Sequence, residues 1–290
     1  MFRSTQILGY LFAFSFLFSA YTKWIAPGYF EITLLDQGLA TTRHFAGVLS
    51  RLIIGLELAL GFSLLLPFYR KALLTLAIFL LSGFTVHVMY LWGLGQDENC
   101  GCFGELIAMT PIQSIFKNLF LLLMATFLYK KSRFQKKAPR VFIFVPLLFF
   151  MSPWVHLPLP DYEALSFSQY THFEKRGRVD LTQGEKWVAV FNLDCSHCQE
   201  TAQLLAQWER EQKMALPLYV LFFKEGSTSV EAFEAKTQSN YPYTFIDAHA
   251  FFDLIGESPP RMYHLQNGRV VDYWDNNFVK RLEAKGLKKD

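Results

Sequence analysis

The chain has 290 residues, of which 52% are hydrophobic, including 30 Phe. This composition is too apolar for an ordinary soluble protein, and a formal net charge of +3 is too small to indicate a nucleic-acid-binding protein. The length suggests two domains. Apolar residues concentrate in the first half and charged residues after about Asp161. We therefore expect a membrane domain in contact with the lipid bilayer, followed by a water-exposed domain.

Five apolar runs in the first part of the chain predict membrane-spanning helices, because about 20 apolar residues cross a bilayer as a helix. They cover about residues 7–25, 45–66, 72–94, 111–129 and 141–155. The fifth run, Val141 to Val155, is marginal in length. Trp154 and His156 at its end lead us to expect that it still crosses. Pro153, Pro158 and Pro160 then predict a stiff exit linker.

Basic residues cluster between Lys130 and Arg140, and cytoplasmic loops carry an excess of such residues. This segment is therefore predicted to be cytoplasmic. Counting spans places the N-terminus and the turn at 69–71 on the same side, and loops 27–44 and 95–110 outside. If the fifth run crosses, the C-terminal domain and all four cysteines lie outside the cytoplasm. We expect a multi-pass protein of the bacterial cytoplasmic (inner) membrane with a periplasmic C-terminal domain.

The four cysteines form two close pairs, which suggests two redox or metal centres and not a disulfide framework. Cys195-Ser-His-Cys198 follows a β-type apolar run and precedes a segment with helical spacing. Cys195 should therefore lie at a helix N-terminus, where backbone N–H groups and the helix dipole stabilise a thiolate. His197, if protonated, would add to this effect. The alternative is a structural disulfide or part of a zinc site, but no second pair at zinc spacing supports a metal, so no metal ligand is assigned.

The segment Trp187–Gln199, together with Pro260 and Asn267-Gly268, resembles a thioredoxin-like domain. In that family a cis-proline faces the active-site cysteines, and its strand leads into an Asn-Gly hairpin. Pro260 stands seven residues before Asn267, which is the family's spacing. Pro259 precedes it and remains an alternative. The chain lacks the Trp and Gly-Pro that surround the family's cysteines, and this leaves the redox potential open.

The second pair lies in Asn99-Cys-Gly-Cys-Phe-Gly104. Cys100 and Cys102, one residue apart, can form a tight and strained disulfide or a reactive dithiol. The alternative is a disulfide that only stabilises the loop. Together with Arg51-Leu-Ile-Ile-Gly-Leu-Glu57, this stretch resembles the MauE/DoxX group of membrane proteins over about residues 1–130. The MauE branch carries the same Cys-Gly-Cys-Phe-Gly after its third span and is implicated in disulfide formation during maturation of a methylamine dehydrogenase subunit.

Four ionisable residues, Lys23, Arg51, Glu57 and His87, lie within or at the ends of spans. Charges there are costly and mark function or mutual pairing. One interpretation is a quinone headgroup site, in which Arg51 or His87 donates to the quinone oxygens. The other is a structural network between Arg51 and Glu57, or snorkelling of Lys23 and Arg51 to the interface.

The predicted fold class is an α-helical membrane bundle of four spans plus a fifth linking span, followed by an α/β thioredoxin-like domain. The boundaries are 1–130 for the MauE/DoxX-like domain, 131–160 for the basic segment and fifth span, and 161–290 for the thioredoxin-like domain. The predicted function is a thiol–disulfide oxidoreductase with exported proteins as clients. Electrons pass from Cys195/Cys198 to Cys100/Cys102 and on to a quinone. Two alternatives are a maturation factor or chaperone with structural cysteine pairs, and a reductive relay fed by another membrane partner.

Overall fold

The computed structural model describes residues 2–66, 68, 70–95, 109–132, 142, 144–162 and 165–287. The chain divides into two compact units, Met1–Leu159 and Pro160–Asp290. Cys100, Cys102 and most of the predicted basic segment lie outside the described residues.

Six helices make up the described part of the N-terminal unit. They are α1 (Phe2–Ile25), α2 (Pro27–Asp36), α3 (Arg43–Leu65), α4 (Arg70–Gly93), α5 (Pro111–Lys131) and α6 (Phe144–His156). Local signals set several ends: the Thr42 hydroxyl accepts from the Phe45 N–H, and Thr110 forms a capping box with Gln113. Within the described ranges, α3, α4 and α5 are long and apolar enough to cross a membrane. The protein is therefore a multi-pass membrane protein.

One expectation about this unit needs correction. Residues 27–36 form a helix and not an irregular loop; Pro27 occupies its first turn, where a missing N–H costs nothing. The run predicted as the fifth span contains α6, a helix of 13 residues, about 20 Å long at 1.5 Å per residue, and its crossing of the membrane stays a prediction. Its C-terminal end is set by Pro158, because the residue before a proline disfavours helical geometry.

The segment around α6 nevertheless runs antiparallel along α3. The ring of Phe142 lies 4.7 Å from that of Phe68, next to the end of α3. Phe149 stacks on Phe62 at 3.6 Å. Close approach is allowed at Gly55, because a Cβ there would lie 2.5 Å from the carbonyl oxygen of Phe150. Residues 142 and 144–158 therefore cover most of the length of α3.

The ends of these helices lie at two opposite sides of the unit. The first, called the basic end, is defined by Arg70 and Lys71 at the start of α4 and by Lys130 and Lys131 at the end of α5; there Lys71 lies over the Tyr129 ring, 5.6 Å from its centroid. At the opposite end, His87 of α4 contacts Gln37. Because α6 runs antiparallel to α3, the chain leaves this unit at the opposite end, where α4 ends and α5 begins.

The C-terminal unit is built on a five-stranded sheet. Its elements are β1 (His172–Phe173), β2 (Gly177–Arg178), β3 (Glu185–Asn192), α7 (Ser196–Gln212), β4 (Leu218–Phe223), α8 (Val230–Thr237), β5 (Tyr243–Phe245), α9 (Ala248–Leu254), β6 (Arg261–Gln266), β7 (Arg269–Trp274) and α10 (Phe278–Ala284). The strand order is β5-β4-β3-β6-β7. Strands β3, β4 and β5 are parallel, and β6 and β7 are antiparallel to their neighbours. This arrangement fits a thioredoxin-like domain.

Most predicted elements of this domain are present, with one change at the sheet edge. The sequence predicts a central strand before Cys195, a helix after it, a strand at 218–223 and a hairpin at 259–274, and all four are confirmed. The run Phe173 to Val179, whose sequence predicts a first strand, is instead the small hairpin β1–β2, because Lys175 and Gly177 adopt positive φ angles of 69° and 73° and break an extended run. The edge position belongs to β5, which the sequence analysis did not identify.

Burial on both faces explains the continuous apolar run of β3. From Trp187 to Asn192 every side chain is buried, as expected for a central strand covered on both sides. The Trp187 ring stacks on His264 at 4.1 Å and packs against Trp274 at 5.0 Å. The core on this face continues to Cys198 at the start of α7. A rigid strand therefore holds the turn that carries the cysteine pair.

Candidate active site

The turn between β3 and α7 is fastened to the loop that follows β4. The Asp194 N–H donates to Asn192 Oδ1 at 2.9 Å. The Asp194 carboxylate accepts from the Gly226 N–H at 2.8 Å and from the Thr228 hydroxyl at 2.6 Å. These hydrogen bonds hold the pKa of Asp194 below its usual value, with the Thr228 hydroxyl contributing most. Cys195 therefore follows a turn whose geometry is fixed by the loop that follows β4.

Cys195 is the N-cap of α7, and its sulfur accepts a hydrogen bond from the Cys198 N–H at 3.3 Å. The pKa of Cys195 is lowered to about 6. The largest cause is the hydrogen bond from the Cys198 side chain, followed by the backbone N–H groups of Cys198 and His197, while partial burial opposes the shift. A thiolate at this helix start is the expected nucleophile of a disulfide-exchange site.

Cys198 has the opposite environment. Its side chain is fully buried, and its sulfur accepts from the Asn192 N–H at 3.4 Å. Burial, followed by the neighbouring Cys195 sulfur, raises the pKa of Cys198 far above its usual value. The two thiols thus have opposite environments: Cys195 is a stabilised thiolate at the start of α7, and Cys198 is a buried, protonated thiol one helical turn later.

His197 contributes less than the sequence suggests. Its side chain is 79% exposed, and Nδ1 lies 3.6 Å from a carboxylate oxygen of Glu200. The charge of His197 is the last of the causes that lower the pKa of Cys195, behind three hydrogen bonds. The three hydrogen bonds from the first turn of α7, and not the charge of His197, therefore lower the pKa of Cys195 most.

The proline opposite the cysteines is now identified. The Pro259–Pro260 peptide bond is cis, so Pro260 is the cis residue, and the alternative of Pro259 is removed. The carbonyl oxygen of Pro259 lies 4.0 Å from the Cys195 sulfur. Pro260 itself is buried, and Arg261 immediately after it pairs with Val190 of β3. The structure thus brings Cys195, Cys198 and the proline segment together, with His197 on the exposed side of the turn.

In the membrane unit, Arg51 and Glu57 do not pair as expected. Six residues along a helix turn by about 600°, which leaves their side chains on different faces. The Arg51 guanidinium instead contacts Glu31 of α2, which also accepts an ion pair from Arg43 at 2.9 Å. Glu57 pairs with Lys23 of α1 at 2.9 Å. The sequence analysis missed Glu31, although Pro27 is a helix-start signal that could have placed it on a helix.

Arg51 does not fit the quinone role. Its Nε and Nη2 donate to the carbonyl oxygens of Leu157 and Pro158 at 3.3 Å and 2.5 Å, and Nη1 faces Glu31 and the Gly47 carbonyl oxygen. All three nitrogens are thus engaged within the protein. His87 Nε2 lies 3.3 Å from Gln37 Oε1. His87 thus contacts Gln37, whereas Arg51 contacts Glu31 and the backbone of Leu157 and Pro158, and no step is assigned to a quinone at these side chains.

The comparison with known proteins agrees with the division into two parts. Residues 1–130 match the family model described as "Methylamine utilisation protein MauE". The N-terminal part of the chain is a MauE domain. "Protein TlpB" of Flavobacterium psychrophilum is 28% identical in an alignment of 335 positions, which covers 92% of the present chain and 91% of that protein. The similarity therefore continues through the thioredoxin-like domain that follows the MauE domain.

The pKa of Cys195 leads to a first testable prediction. A thiolate reacts with iodoacetamide and a thiol does not, so alkylation of reduced Cys195 should rise with pH up to about 6 and level off above it. Below the pKa the rate should fall about tenfold per pH unit. Peptide-resolved mass spectrometry would separate Cys195 from the two cysteines of the MauE domain. A midpoint near that of an ordinary thiol, about 8.5, would contradict the described geometry.

Proposed function

We propose that the protein is a membrane-bound thiol–disulfide oxidoreductase. Its thioredoxin-like domain exchanges disulfides with exported proteins and passes electrons to Cys100 and Cys102 of the MauE domain. The observation that carries this proposal is the contrast within one helix turn. Cys195 is a stabilised thiolate with a pKa of about 6, and Cys198 is a buried thiol whose pKa is raised. This asymmetry is what disulfide exchange through a mixed disulfide requires.

The exchange can be written so that bonds and electrons balance. A client thiolate attacks the sulfur of Cys195 in the Cys195–Cys198 disulfide, the S–S bond breaks, and Cys198 leaves and takes up a proton. A second client thiolate then attacks the mixed disulfide and releases the Cys195 thiolate. The client gains a disulfide, and the dithiol at Cys195 and Cys198 holds two electrons. The same exchange with the Cys100–Cys102 disulfide moves these electrons into the MauE domain.

Two chemical arguments support one direction of electron flow. A helix-start thiolate stabilises the reduced form of the pair, which makes its disulfide a stronger oxidant. The sequence holds four cysteines in all, so it offers no further pair that could bring electrons from the cytoplasm. Disulfide formation is therefore the proposed direction, with a membrane-soluble quinone as the final acceptor. No binding residue is assigned to that quinone.

Two features support placing both cysteine pairs outside the cytoplasm. The chain leaves the N-terminal unit, Met1–Leu159, at the end opposite the basic end, and α4, which precedes Cys100 and Cys102 in the sequence, ends there as well. The basic end carries Arg70, Lys71, Lys130 and Lys131, and basic residues favour the cytoplasmic side. We therefore propose that the C-terminal domain is periplasmic and that the membrane is the inner membrane.

The test uses the full-length protein in lipid vesicles that contain ubiquinone or menaquinone. A reduced client peptide with two cysteines is added, and both peptide thiols and quinone absorbance are followed. The expected result is a loss of two thiols per quinone reduced, abolished in Cys102→Ala. If the peptide thiols are oxidised and the quinone stays unchanged, a different acceptor takes the electrons. If the peptide is not oxidised at all, the proposed function is wrong.

A further inference from the structure

Asn192, the last residue of β3, is buried and uses all four of its polar groups. Its backbone N–H and C=O contact the two cysteines of the redox turn, and its side chain contacts Asp194 and Glu225. We propose that Asn192 is a positioning residue for disulfide exchange: Glu225 fixes its side chain, and this aims its backbone N–H at the Cys198 sulfur. The inference rests on the proposed function, because it concerns exchange at the same cysteine pair.

The backbone N–H of Asn192 can face the cysteines because the ladder between β3 and β6 ends just before it. The last residues that pair are Val190 and Arg261, and Pro260, which precedes Arg261, has no N–H with which to extend the ladder. The Asn192 N–H lies on the β6 side, since successive N–H groups of a strand point to opposite sides and the following one donates to β4. It donates instead to Cys198 Sγ, at 3.4 Å.

The side chain of Asn192 fastens this arrangement. Its Oδ1 accepts from the Asp194 N–H at 2.9 Å, and its Nδ2 donates to Glu225 Oε2 at 3.0 Å. Turning the amide over would set donor against donor and acceptor against acceptor, so the two partners fix its orientation. The Asn192 carbonyl oxygen also accepts from the Cys195 N–H at 3.2 Å. One residue therefore holds positions 194, 195 and 198 of the redox turn.

The Asn192 N–H acts on the sulfur where charge develops during exchange. When a client thiolate attacks Cys195 of the disulfide, the S–S bond breaks and its electron pair stays on the Cys198 sulfur. In the reverse step, Cys198 loses its proton to water and attacks the Cys195 sulfur of the mixed disulfide. Both directions pass through a Cys198 thiolate. Burial raises the pKa of Cys198, and the hydrogen bond from Asn192 opposes that rise. A donor held on this sulfur therefore favours both steps.

The two side-chain contacts need one acceptor and one donor on the same short side chain, and asparagine supplies both. Alanine at position 192 would make neither contact. Aspartate would still accept from the Asp194 N–H, but it would set a second carboxylate against Glu225. Glutamine at position 225 would keep an acceptor for Asn192 Nδ2 and remove only the charge. These three changes separate the contact with Glu225 from the charge that Glu225 carries.

The experiment uses the full-length chain with Cys100→Ala and Cys102→Ala, because the sequence holds four cysteines and only Cys195 and Cys198 then remain. The reduced protein is mixed with a symmetrical nitrobenzoate disulfide, whose released thiolates are coloured. Attack by Cys195 releases the first thiolate, at a rate that depends on reagent concentration. Attack by Cys198 on the mixed disulfide releases the second, at a rate that does not, and leaves the Cys195–Cys198 disulfide. The proton of Cys198 goes to the buffer.

Variants of Asn192 should slow the second release and spare the first. Asn192→Ala should lower the second rate about three- to tenfold, as expected when one hydrogen bond is weakened, and Asn192→Asp should lower it at least as much. The first release should keep its rate, because the hydrogen bonds that lower the pKa of Cys195 come from α7. Glu225→Gln should not slow either release.

The pH dependence of the second release distinguishes positioning of the sulfur from support of the fold. If the loss in Asn192→Ala lies in the thiolate fraction of Cys198, raising the pH by up to about one unit should restore the wild-type rate. The matched control is Asn240→Ala, which changes an asparagine just before the start of β5, whereas Asn192 lies at the end of the parallel strand β3. This control should leave both releases at the wild-type rate.

The outcomes separate this inference from the proposed function. If the chain with native Asn192 releases only the first thiolate, Cys195 and Cys198 are not an exchange pair and the proposed function is wrong. If both releases occur and Asn192→Ala shows the second at the wild-type rate, exchange stands and the positioning role is overturned. An equal loss in both releases, or a loss that higher pH does not restore, would also overturn it, because Asn192 would then only support the fold.

Discussion

Replacing Cys198 by Ala should trap Cys195 in stable mixed disulfides. Cys198 is the group that resolves such an intermediate, since it lies one helical turn from Cys195 and its backbone N–H contacts the Cys195 sulfur. In the variant, the Cys195 thiolate attacks a disulfide of an oxidised client or the Cys100–Cys102 disulfide, one S–S bond breaks as the mixed disulfide forms, and only the partner's own released thiol can then free Cys195. We expect covalent adducts on non-reducing gels, and mass spectrometry should identify Cys195 joined to clients and to Cys100 or Cys102.

The matched controls for this prediction are Cys195→Ala and the double variant Cys195→Ala/Cys198→Ala. Both should show no adducts, because Cys198 is fully buried and its raised pKa keeps it protonated. Adducts that form through Cys198 in Cys195→Ala would contradict the assigned roles. Complete absence of adducts in Cys198→Ala would support the alternative in which the cysteine pair is only structural.

Cys195→Ser should abolish disulfide exchange by the thioredoxin-like domain. With a pKa of about 6, about 90% of Cys195 is thiolate at pH 7, whereas a thiol of usual pKa is about 3% ionised. The pKa of Cys198, the thiol that remains, lies well above that usual value. The smaller thiolate fraction alone therefore predicts that the exchange rate falls at least about thirtyfold. Burial of Cys198 should reduce the rate further.

This loss is measured as the rate at which the full-length protein exchanges disulfides with a small peptide that contains one disulfide. The control is His197→Ala, which should lower the rate only slightly, because the His197 charge is the smallest cause of the lowered pKa. An equal loss in Cys195→Ser and His197→Ala would show that the histidine, and not the helix start, activates the thiol.

The redox turn could be predicted from the sequence because its signals are local. An apolar run before Cys195 and helical spacing after Cys198 define the strand, the turn and the helix. The Asn267-Gly268 turn is equally local, since Asn267 and Gly268 adopt positive φ angles of 49° and 77° as a two-residue hairpin requires. Pro260 was chosen by its spacing from this turn, and its cis bond agrees with that choice.

The features that the sequence analysis missed depend on distant partners. Residues 27–36 mix polar and apolar residues and include Glu31, so alone they indicate a loop. They form a buried helix because Arg43 and Arg51 neutralise the Glu31 carboxylate. The edge strand β5 is only three residues long, and its pairing with β4 is a tertiary contact. The hold of Arg51 on Pro158 joins residues 107 positions apart, which no local pattern predicts.

The most direct test of the relay is the redox state of Cys195 and Cys198 in living cells, compared between the wild type and Cys102→Ala. Cells are acid-quenched, free thiols are labelled with a mass tag, and the two cysteines are quantified. If electrons leave through the MauE domain, the pair is mainly disulfide in the wild type and accumulates as the dithiol in Cys102→Ala. An unchanged redox state of Cys195 and Cys198 in Cys102→Ala, or a shift toward the disulfide, would contradict the proposed relay.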